Sequence, residues 1–344
     1  MELKKPTDES VNETATSQEQ AAAAAAAQVT VRQRVYLLWQ ELGMVAILVL
    51  LCIFMALFAP YFLTFSNLVN VAQQSSINAI LAAGMTFVIL TGGIDLSVGS
   101  GLAVAGVAAV WLAYRGVPGI IDVLAGLVIG CLCGWLNGVL IAKFKLLPFI
   151  VTLGALTYLR GVAYLFTGAY PIVVPNLSFG FLGNGFVGPL PWPVVIALLV
   201  YIVGYIVLNR TTFGRRVYAI GGNEQAARLT GINVDRILLL IYTISGLCMG
   251  IAGVIYAARL LSAQPTGGQS YELYAIAAVI LGGTSFTGGV GSIVGTLIGA
   301  LIIGVLNNGL VLMNVPFFYQ LIVQGAVIII AVLLDQLRTR AAAR

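Results

Sequence analysis

The chain has 344 residues, of which 60% are hydrophobic and only 8% are charged, and its mean hydropathy is +1.02. A soluble domain carries about 25% charged residues, so this composition excludes a water-soluble globular protein and indicates a polytopic membrane protein. The net charge is +5 and there is no histidine, which argues against zinc-dependent and serine–histidine intramembrane proteases. No G-x-x-x-x-G-K-S/T motif occurs, so any use of ATP belongs to another chain.

The predicted fold class is all-α and polytopic, with about ten transmembrane helices, some of them short or broken. Residues 1–40 are predicted to form a polar cytoplasmic tail, 41–336 the transmembrane domain and 337–344 a basic cytoplasmic C-terminus. Apolar runs of the length that crosses a bilayer recur along the transmembrane domain. These runs are Met44–Phe62, Ile77–Leu90, Leu102–Tyr114, Ile120–Ile141, Pro148–Phe166, Val194–Leu208, Ile237–Ala258, Leu273–Leu281, Ile293–Leu312 and Phe317–Leu334. Three of them, the second, third and eighth, are short for full spans and adjoin glycine-rich stretches.

Lysine and arginine are concentrated in four segments that alternate correctly with ten crossings. They are the tail, the loop after the fourth run, the loop 209–236 and the C-terminus. By the positive-inside rule these segments face the cytoplasm, so both termini are predicted to be cytoplasmic, and the basic balance does not indicate nucleic-acid binding. On the opposite side, Thr167–Pro193 is the one substantial loop, and it forms either an interfacial cap or a docking surface for an external partner.

Two glycine-rich breaks resemble each other. Val88–Gly93, followed by Val98–Ser100, recurs as Val279–Gly283, followed by Val290–Ser292. In both copies an apolar run enters the break and a helix follows, and the predicted topology places both breaks on the same side of the membrane. Transporters often contain internal repeats, with their sites near the repeat interface on discontinuous helices. We therefore predict an internal repeat.

The first break contains Asp95 and Ser97, which are candidates for a pathway or a gate. One interpretation is direct contact with a transported substrate. The favoured interpretation is a helix cap and hinge, because a carboxylate can satisfy free backbone N–H groups at the start of the next helix. Asp95 is then expected near the cytoplasmic end of two abutting spans, or in a re-entrant stretch just inside it, with Ser97 as a second N-cap.

Other polar side chains interrupt the apolar runs. Glu272 is expected to line an outer vestibule, to stabilise the N-terminus of its helix, or both. Arg160 is expected to face protein and to pair with a carboxylate or with helix-end carbonyls. The candidates for a hydrophilic track are Gln73, Gln74, Asn78, Asn307 and Asn308.

The loop 209–236 contains a sequence that favours a short helix. Asn223 is a plausible N-cap for a helix over Glu224–Leu229, and Gly231 is a plausible stop. Gly221 and Gly222 precede it as a hinge. A short helix on the cytoplasmic face suits insertion into a groove on a partner, and the alternative is a solvated loop held by its arginines.

Three stretches resemble the permease subunits of ATP-binding-cassette importers for monosaccharides, particularly the ribose-type branch. They are AGMTFVILTGGIDLSVGS (83–100), TTFGRRVYAIGGNEQAARLTGIN (211–233) and SAQPTGGQSYELYAIAAVILGGTSFTGG (262–289). The resemblance implies a homodimer of permeases in the bacterial inner membrane, cytoplasmic ATPase subunits that drive it, and an extracytoplasmic sugar-binding protein that delivers the substrate. It implies no enzyme activity and no cofactor in this chain.

By the same resemblance, the helix in the loop 209–236 is the coupling helix that contacts the ATPase. The residues that carry this assignment are Gly221, Gly222, Asn223, Glu224, Ala226, Ala227, Arg228 and Gly231. The expected substrate is a ribose-like pentose or a related sugar or inositol. A secondary sugar carrier or channel that works without an ATPase is the alternative within transport, and an intramembrane enzyme has little support.

Overall fold

The computed structural model describes the backbone of residues 43–342 and the side chains of residues 43–333 and 336. Its helices are α1 (Gly43–Phe58), α2 (Phe65–Leu90), α3 (Val98–Tyr114), α4 (Gly119–Ala142), α5 (Pro148–Thr167), α6 (Phe181–Asn184), α7 (Trp192–Arg210), α8 (Thr212–Gly222), α9 (Glu224–Leu229), α10 (Val234–Leu260), α11 (Tyr271–Leu281), α12 (Ile293–Leu312) and α13 (Phe317–Ala342). Its strands are β1 (Ile172–Val173), β2 (Phe186–Val187), β3 (Leu190–Pro191) and β4 (Ser262–Ala263). The predicted tail, residues 1–40, and the side chains of 337–344 lie outside the described residues.

Six helices are long and apolar enough to cross a membrane: α2, α4, α5, α7, α10 and α12. Shorter apolar helices are α1, α3, α11 and the Phe317–Leu333 part of α13. The predicted class, a polytopic helical membrane protein, is confirmed.

Several helix boundaries differ from the predicted apolar runs, and two of the differences have a clear local cause. Helix α2 begins at Phe65 and not at Ile77, because Thr64 caps it by accepting a hydrogen bond from the backbone N–H of Asn67 and the polar residues that follow are accommodated within the helix. This run is therefore a full-length span. Helix α1 ends at Phe58 and not at Phe62, because Pro60 cannot continue a helix.

Helices α2 and α10 form the centre of the bundle. Helix α10 packs against α2, α3 and α4, and α2 packs against α7, α11 and α12. The most apolar stretch of α2 is 94% buried inside the protein, compared with 28% for α4, α5 and α7, so these three helices present broad faces to lipid. Glycines allow the close contact between α4 and α10, since a Cβ built on Gly246 would lie only 2.8 Å from the Cα of Gly134.

The long loop Thr167–Pro193 is a packed cap. It folds into β1, α6 and the β2–β3 hairpin, and β1 pairs antiparallel with β4, with Ile172 opposite Ala263. Phe179 in this loop is almost completely buried. The loop is thus fastened to the segment that follows α10, and its use as a docking surface stays a prediction.

Candidate functional site

Asp95 lies in the break between α2 and α3 and is fully buried. Its Oδ1 atom accepts hydrogen bonds from the backbone N–H and the hydroxyl of Ser97, at 3.1 and 2.6 Å, and its Oδ2 atom accepts from the hydroxyl of Ser245 in α10 at 2.9 Å. Asn137 in α4 extends the network, since its Nδ2 donates to Ser97 Oγ at 2.9 Å. These polar side chains fasten the break to two helices of the bundle.

The network joins the break to the middle of α10, since Ser245 is about 16 Å along α10 from Val234, at a rise of 1.5 Å per residue. Asp95 itself lies between the end of α2 and the start of α3, and the choice between its two predicted locations stays a prediction. Within the described side chains no lysine or arginine forms a salt bridge with Asp95, so hydrogen-bond donors alone stabilise its carboxyl group.

Asp95 has the predicted capping contact, and Ser97 has the predicted cap position without a capping hydrogen bond from its side chain. Asp95 does satisfy a free backbone N–H at the start of α3, that of Ser97. Ser97 occupies the cap position, but its hydroxyl makes no capping hydrogen bond because it donates to Asp95 instead. The Ser97 hydroxyl therefore orients the Asp95 carboxylate and does not bind a backbone N–H at the start of α3.

The two glycine-rich breaks are neighbours in space. The backbone N–H of Gly289, in the break between α11 and α12, donates to the carbonyl of Leu90 at the end of α2, at 2.9 Å. Gly288 and Gly289 both have positive φ angles, a conformation that glycine adopts without steric cost. The turn in the second break can therefore lie directly against the end of α2.

Helix α8 ends at the point where the breaks meet. A Cβ built on Gly221 would overlap the carbonyl oxygen of Leu90 and the backbone nitrogen of Gly289, whereas one on Gly222 would have no atom within 4 Å. Tyr218, earlier in α8, donates from its hydroxyl to a carbonyl in the second break, that of Gly291, at 3.0 Å. Gly221 is thus a tightly packed residue within α8, and the hinge at Gly221 and Gly222 stays a prediction.

The short helix α9 has the predicted start and stop. It spans Glu224–Leu229, and Asn223 caps it by accepting a hydrogen bond at Oδ1 from the backbone N–H of Ala226 at 2.9 Å. Gly231 follows with a φ of 83°, which suits a helix stop. Ala227 is buried, whereas Leu229 is 90% exposed, so α9 packs on one face and presents a leucine on the other.

A chain of four charged side chains ties α9 to neighbouring elements. Arg228 donates to Glu224 Oε1 at 3.0 and 2.8 Å and to Asp235 Oδ1, in the first turn of α10, at 2.8 Å. Asp235 also accepts from Lys145 in the α4–α5 loop. Hydrogen bonds to Glu224 and Asp235 raise the pKa of Arg228 above its usual value. Exposed pairs contribute little individually, so the network orients α9 more than it stabilises the fold.

Asn308, one of the candidates for the hydrophilic track, is used in packing between α2 and α12. Its Nδ2 donates to Asn67 Oδ1 at 2.9 Å, and Asn67 Nδ2 donates back to Asn308 Oδ1 at 3.0 Å. The pair is buried. Two amides that satisfy each other in this way form a helix–helix contact.

The remaining track candidates lie in different environments. Asn307 Oδ1 accepts a hydrogen bond from Gln324 Nε2 of α13 at 3.0 Å, and Gln324 Oε1 accepts from the hydroxyl of Tyr274 in α11 at 2.6 Å. On α2, the side chains of residues 73 and 78 are buried, whereas that of Gln74 is exposed. Within the described residues these side chains do not form one continuous row, and their place on a pathway stays a prediction.

Arg160 and Glu272 both lie next to the loop that joins β4 to α11. Arg160 in α5 donates from Nη1 to the carbonyls of Pro265 and Gly267 at 2.6 and 2.8 Å. It therefore faces protein as expected, but its carbonyl partners lie in a loop and not at a helix end. Glu272 is in the first turn of α11, where a carboxylate complements the helix dipole. A Cβ on Gly99 in α3 would overlap its Oε2 atom, which places Glu272 against the first turn of α3.

Sequence reasoning missed the partners of several candidates. Ser245 and Asn137 complete the Asp95 network, and Asn67 and Gln324 bind the asparagines of α12. Ser245 precedes Gly246 in α10, and Asn137 precedes Gly138 in α4; both glycines lie where these two helices pack closely against each other. A polar side chain next to a glycine at such a helix contact lies near the neighbouring helix, and this signal could have identified both.

The sequence comparisons agree with this architecture. Residues 67–332 match the family described as branched-chain amino acid transport system / permease component. The chain belongs to this family, and it is therefore a multi-pass membrane permease and not the ATPase of a transport system. The predicted class is confirmed.

Among individual proteins, the chain is 48% identical to the ribose import permease protein of Bacillus subtilis strain 168, over 86% of this chain and 93% of that protein. It is 48% identical to the ribose import permease protein of Escherichia coli strain K12, over 87% and 94% of the two chains. It is 40% identical to the D-allose transport system permease protein of the same strain, over 88% and 93%. No solved structure matches this chain.

Proposed function

We propose that this chain forms the translocation pathway of an ATP-driven importer for a monosaccharide of the ribose type. An extracytoplasmic binding protein delivers the sugar and a separate ATPase drives its passage. The observation that carries this proposal is the similarity to sugar permeases along nearly nine-tenths of the chain. The family description names branched-chain amino acids, but the relatives that match over most of their own length are named for sugars, and the substrate class follows them.

The proposed topology has ten crossings with both termini in the cytoplasm. The six long apolar helices and the four shorter ones provide the crossings. The basic segments then lie on one side, as the positive-inside rule requires. The contact between Leu90 and Gly289 supports a common side for the two breaks, and thus an internal repeat in which α2 and α3 correspond to α11 and α12.

Helix α9 is the proposed coupling helix. It lies in the cytoplasmic segment 209–236, is capped at its start by Asn223, and exposes Leu229 at its end. A leucine exposed to this degree contributes favourable binding free energy when it is buried in an apolar groove on a partner. The partner that this position fits is the ATPase subunit.

The proposed transmission runs from α9 through α8 to the breaks. Movement of α9 shifts the end of α8, where Gly221 touches both Leu90 and Gly289. Tyr218 moves together with α8 and displaces Gly291 through their hydrogen bond. Because α2, α3, α11 and α12 all end or begin at these breaks, a displacement of a few ångströms there can tilt four helices, and two copies of the chain then switch access from one side to the other.

Uptake measurements test the transport proposal. Vesicles that contain this permease, the ATPase and the binding protein should accumulate ribose only when ATP is supplied. Omission of the ATPase should abolish uptake. Accumulation by the permease alone, driven by an ion gradient, would show a secondary carrier and overturn the proposal.

A leucine variant tests the coupling contact. Leu229→Ser should leave the detergent-purified permease folded, because this side chain is exposed, and should weaken its association with the ATPase by roughly tenfold. Leu146→Ser is the matched control, since Leu146 is also exposed and lies in the α4–α5 loop. Equal association of both variants with the ATPase would place the contact elsewhere.

A further inference from the structure

A groove of about 280 Å³ opens between α3, α4 and α5. Its wall is entirely apolar, and half of the side chain of Phe166 at its edge is exposed. The residues that define it include Ala108, Trp111, Ala125, Ile129, Val162 and Phe166. None of these residues takes part in the Asp95 network, in the contact between the breaks or in α9.

The surroundings of the groove indicate that it opens toward lipid. Helices α4 and α5, which form two of its walls, have only 28% of their most apolar stretches buried inside the protein. An empty apolar groove forfeits dispersion contacts along its whole lining. Water would gain no hydrogen-bonding partner from such a lining. A hydrocarbon chain of the bilayer satisfies both conditions.

A cation lies at one end of the groove. The guanidinium of Arg115 stacks over the ring of Trp111, with its central carbon 4.6 Å from the ring centroid. Trp111 also packs edge-on against Phe166, with the ring centroids 6.0 Å apart, so the stacked pair forms the rim of the groove. Arg115 follows directly after the last residue of α3, which is the depth at which a lipid headgroup meets a spanning helix.

The in-plane donors of Arg115 are available for an anion. Stacking on an aromatic ring uses the face of the guanidinium and leaves its N–H groups directed outward in the plane. Among the described residues no carboxylate forms a salt bridge with Arg115. Arginine in this geometry favours a phosphate, which it can bind through two parallel hydrogen bonds.

We propose that this groove binds one acyl chain of an acidic phospholipid whose phosphate lies on Arg115. The lipid fills the space between α3 and the α4–α5 pair, and so supports the helix that follows the Asp95 break. The proposed topology, with both termini in the cytoplasm, places this lipid in the outer leaflet. Only this choice of leaflet depends on the proposed function. The groove, its apolar wall and the cation at its rim do not depend on it.

Native mass spectrometry of the detergent-purified permease tests this proposal, with phosphatidylglycerol and phosphatidylethanolamine of identical chains as probes. The wild-type protein should retain one phosphatidylglycerol and prefer it over phosphatidylethanolamine by roughly fivefold, which is the effect expected of one cation near an anionic headgroup. Ala108→Phe fills the groove from α3 and should abolish retention of either lipid. Ala125→Phe, which fills it from α4, provides a second variant if the first does not fold.

Charge variants separate the headgroup contact from the tail contact. Arg115→Gln should still retain lipid but should no longer prefer phosphatidylglycerol over phosphatidylethanolamine. Arg259→Gln is the matched control, at a cation in the last turn of α10, and should retain this preference. Wild-type lipid retention in both folded groove-filling variants, or an unchanged preference in Arg115→Gln, would overturn the proposal. A change in the monomer–dimer ratio of Ala108→Phe with unchanged lipid retention would identify the groove as a subunit contact instead. Because lipid retention is measured on the permease alone, its failure is distinct from a failure of ATP-driven uptake.

Discussion

The two glycine-rich breaks begin with similar sequences but are held by different parts of the molecule. In the first, Asp95 is fully buried and is bound by side chains from α10 and, through Ser97, α4. In the second, the residue at the same distance from the glycine pair is Ser285, whose hydroxyl bonds only to the nearby hydroxyl of Thr287 among the described side chains, at 3.0 Å.

The second break is held mainly by α8. Tyr218 bonds to its Gly291 carbonyl, and Gly221 packs against its Gly289. Gly221 also touches Leu90 at the first break, but Asp95 fastens that break to the centre of the bundle as well. Tyr218 gives the second break an additional contact with α8, the element that precedes the proposed coupling helix. We propose that the first break stays in place during transport, as a fixed point, whereas the second break moves with α8.

The largest expected effect is on stability, from removal of the Asp95 carboxyl group. Asp95→Ala leaves two hydroxyls and one backbone N–H without their acceptor inside the bundle, which costs about 2–4 kcal/mol. The apparent melting temperature of the detergent-purified protein should fall accordingly. Ser285→Ala, the variant at the corresponding position in the second break, should change it little. Equal losses would show that both breaks are fixed points and would remove the distinction between them.

A steric change at the junction should affect coupling more than folding. Gly221→Ala places a methyl group against Leu90 and Gly289, and the displacement needed to relieve such overpacking costs about 1–3 kcal/mol. We expect transport-coupled ATP hydrolysis to fall by roughly tenfold. Gly222→Ala is the matched control, because the added methyl group meets open space at an adjacent position. It should lower transport-coupled ATP hydrolysis by less than about twofold. If both variants hydrolyse ATP equally, α8 does not transmit movement through this contact.

The smallest expected effect comes from a single hydroxyl. Tyr218→Phe removes one hydrogen bond between α8 and the second break, which is worth about 1 kcal/mol. The uptake rate should fall by about two- to fivefold if this bond holds the second break to α8 during transport. The melting temperature should change by only a few degrees. A normal uptake rate would leave Gly221 as the sole contact of α8 that matters for transmission.

Local features of the sequence were sufficient for α9. Its N-cap, its length and its glycine stop all match the prediction, because a capping side chain bonds to a backbone group only three residues away. The same reasoning identified the break at Asp95 and the ability of its carboxylate to accept a hydrogen bond from a backbone N–H at the start of α3. These contacts depend on a few consecutive residues and very little on the rest of the fold.

Long-range partners could not be obtained in this way. Ser245 is 150 residues from Asp95, and Asn67 is 241 residues from Asn308. Nothing within a few residues of Asn308 distinguishes a side chain that lines a pathway from one that pairs with another helix. The sequence therefore could not identify Asn67 as the partner of Asn308, because polar residues in apolar helices serve both purposes.

The sequence by itself determined the membrane class of this protein, the position of its glycine breaks and the ends of the short helix α9. Composition and short-range hydrogen bonds decide these properties, and both can be read within a window of a few residues. Only the tertiary structure decided that Asp95 is bound to α10 and that Gly221 lies between the two breaks. The physical reason is that close helix packing selects one partner for each buried polar group and for each glycine, and the partner lies far away along the chain.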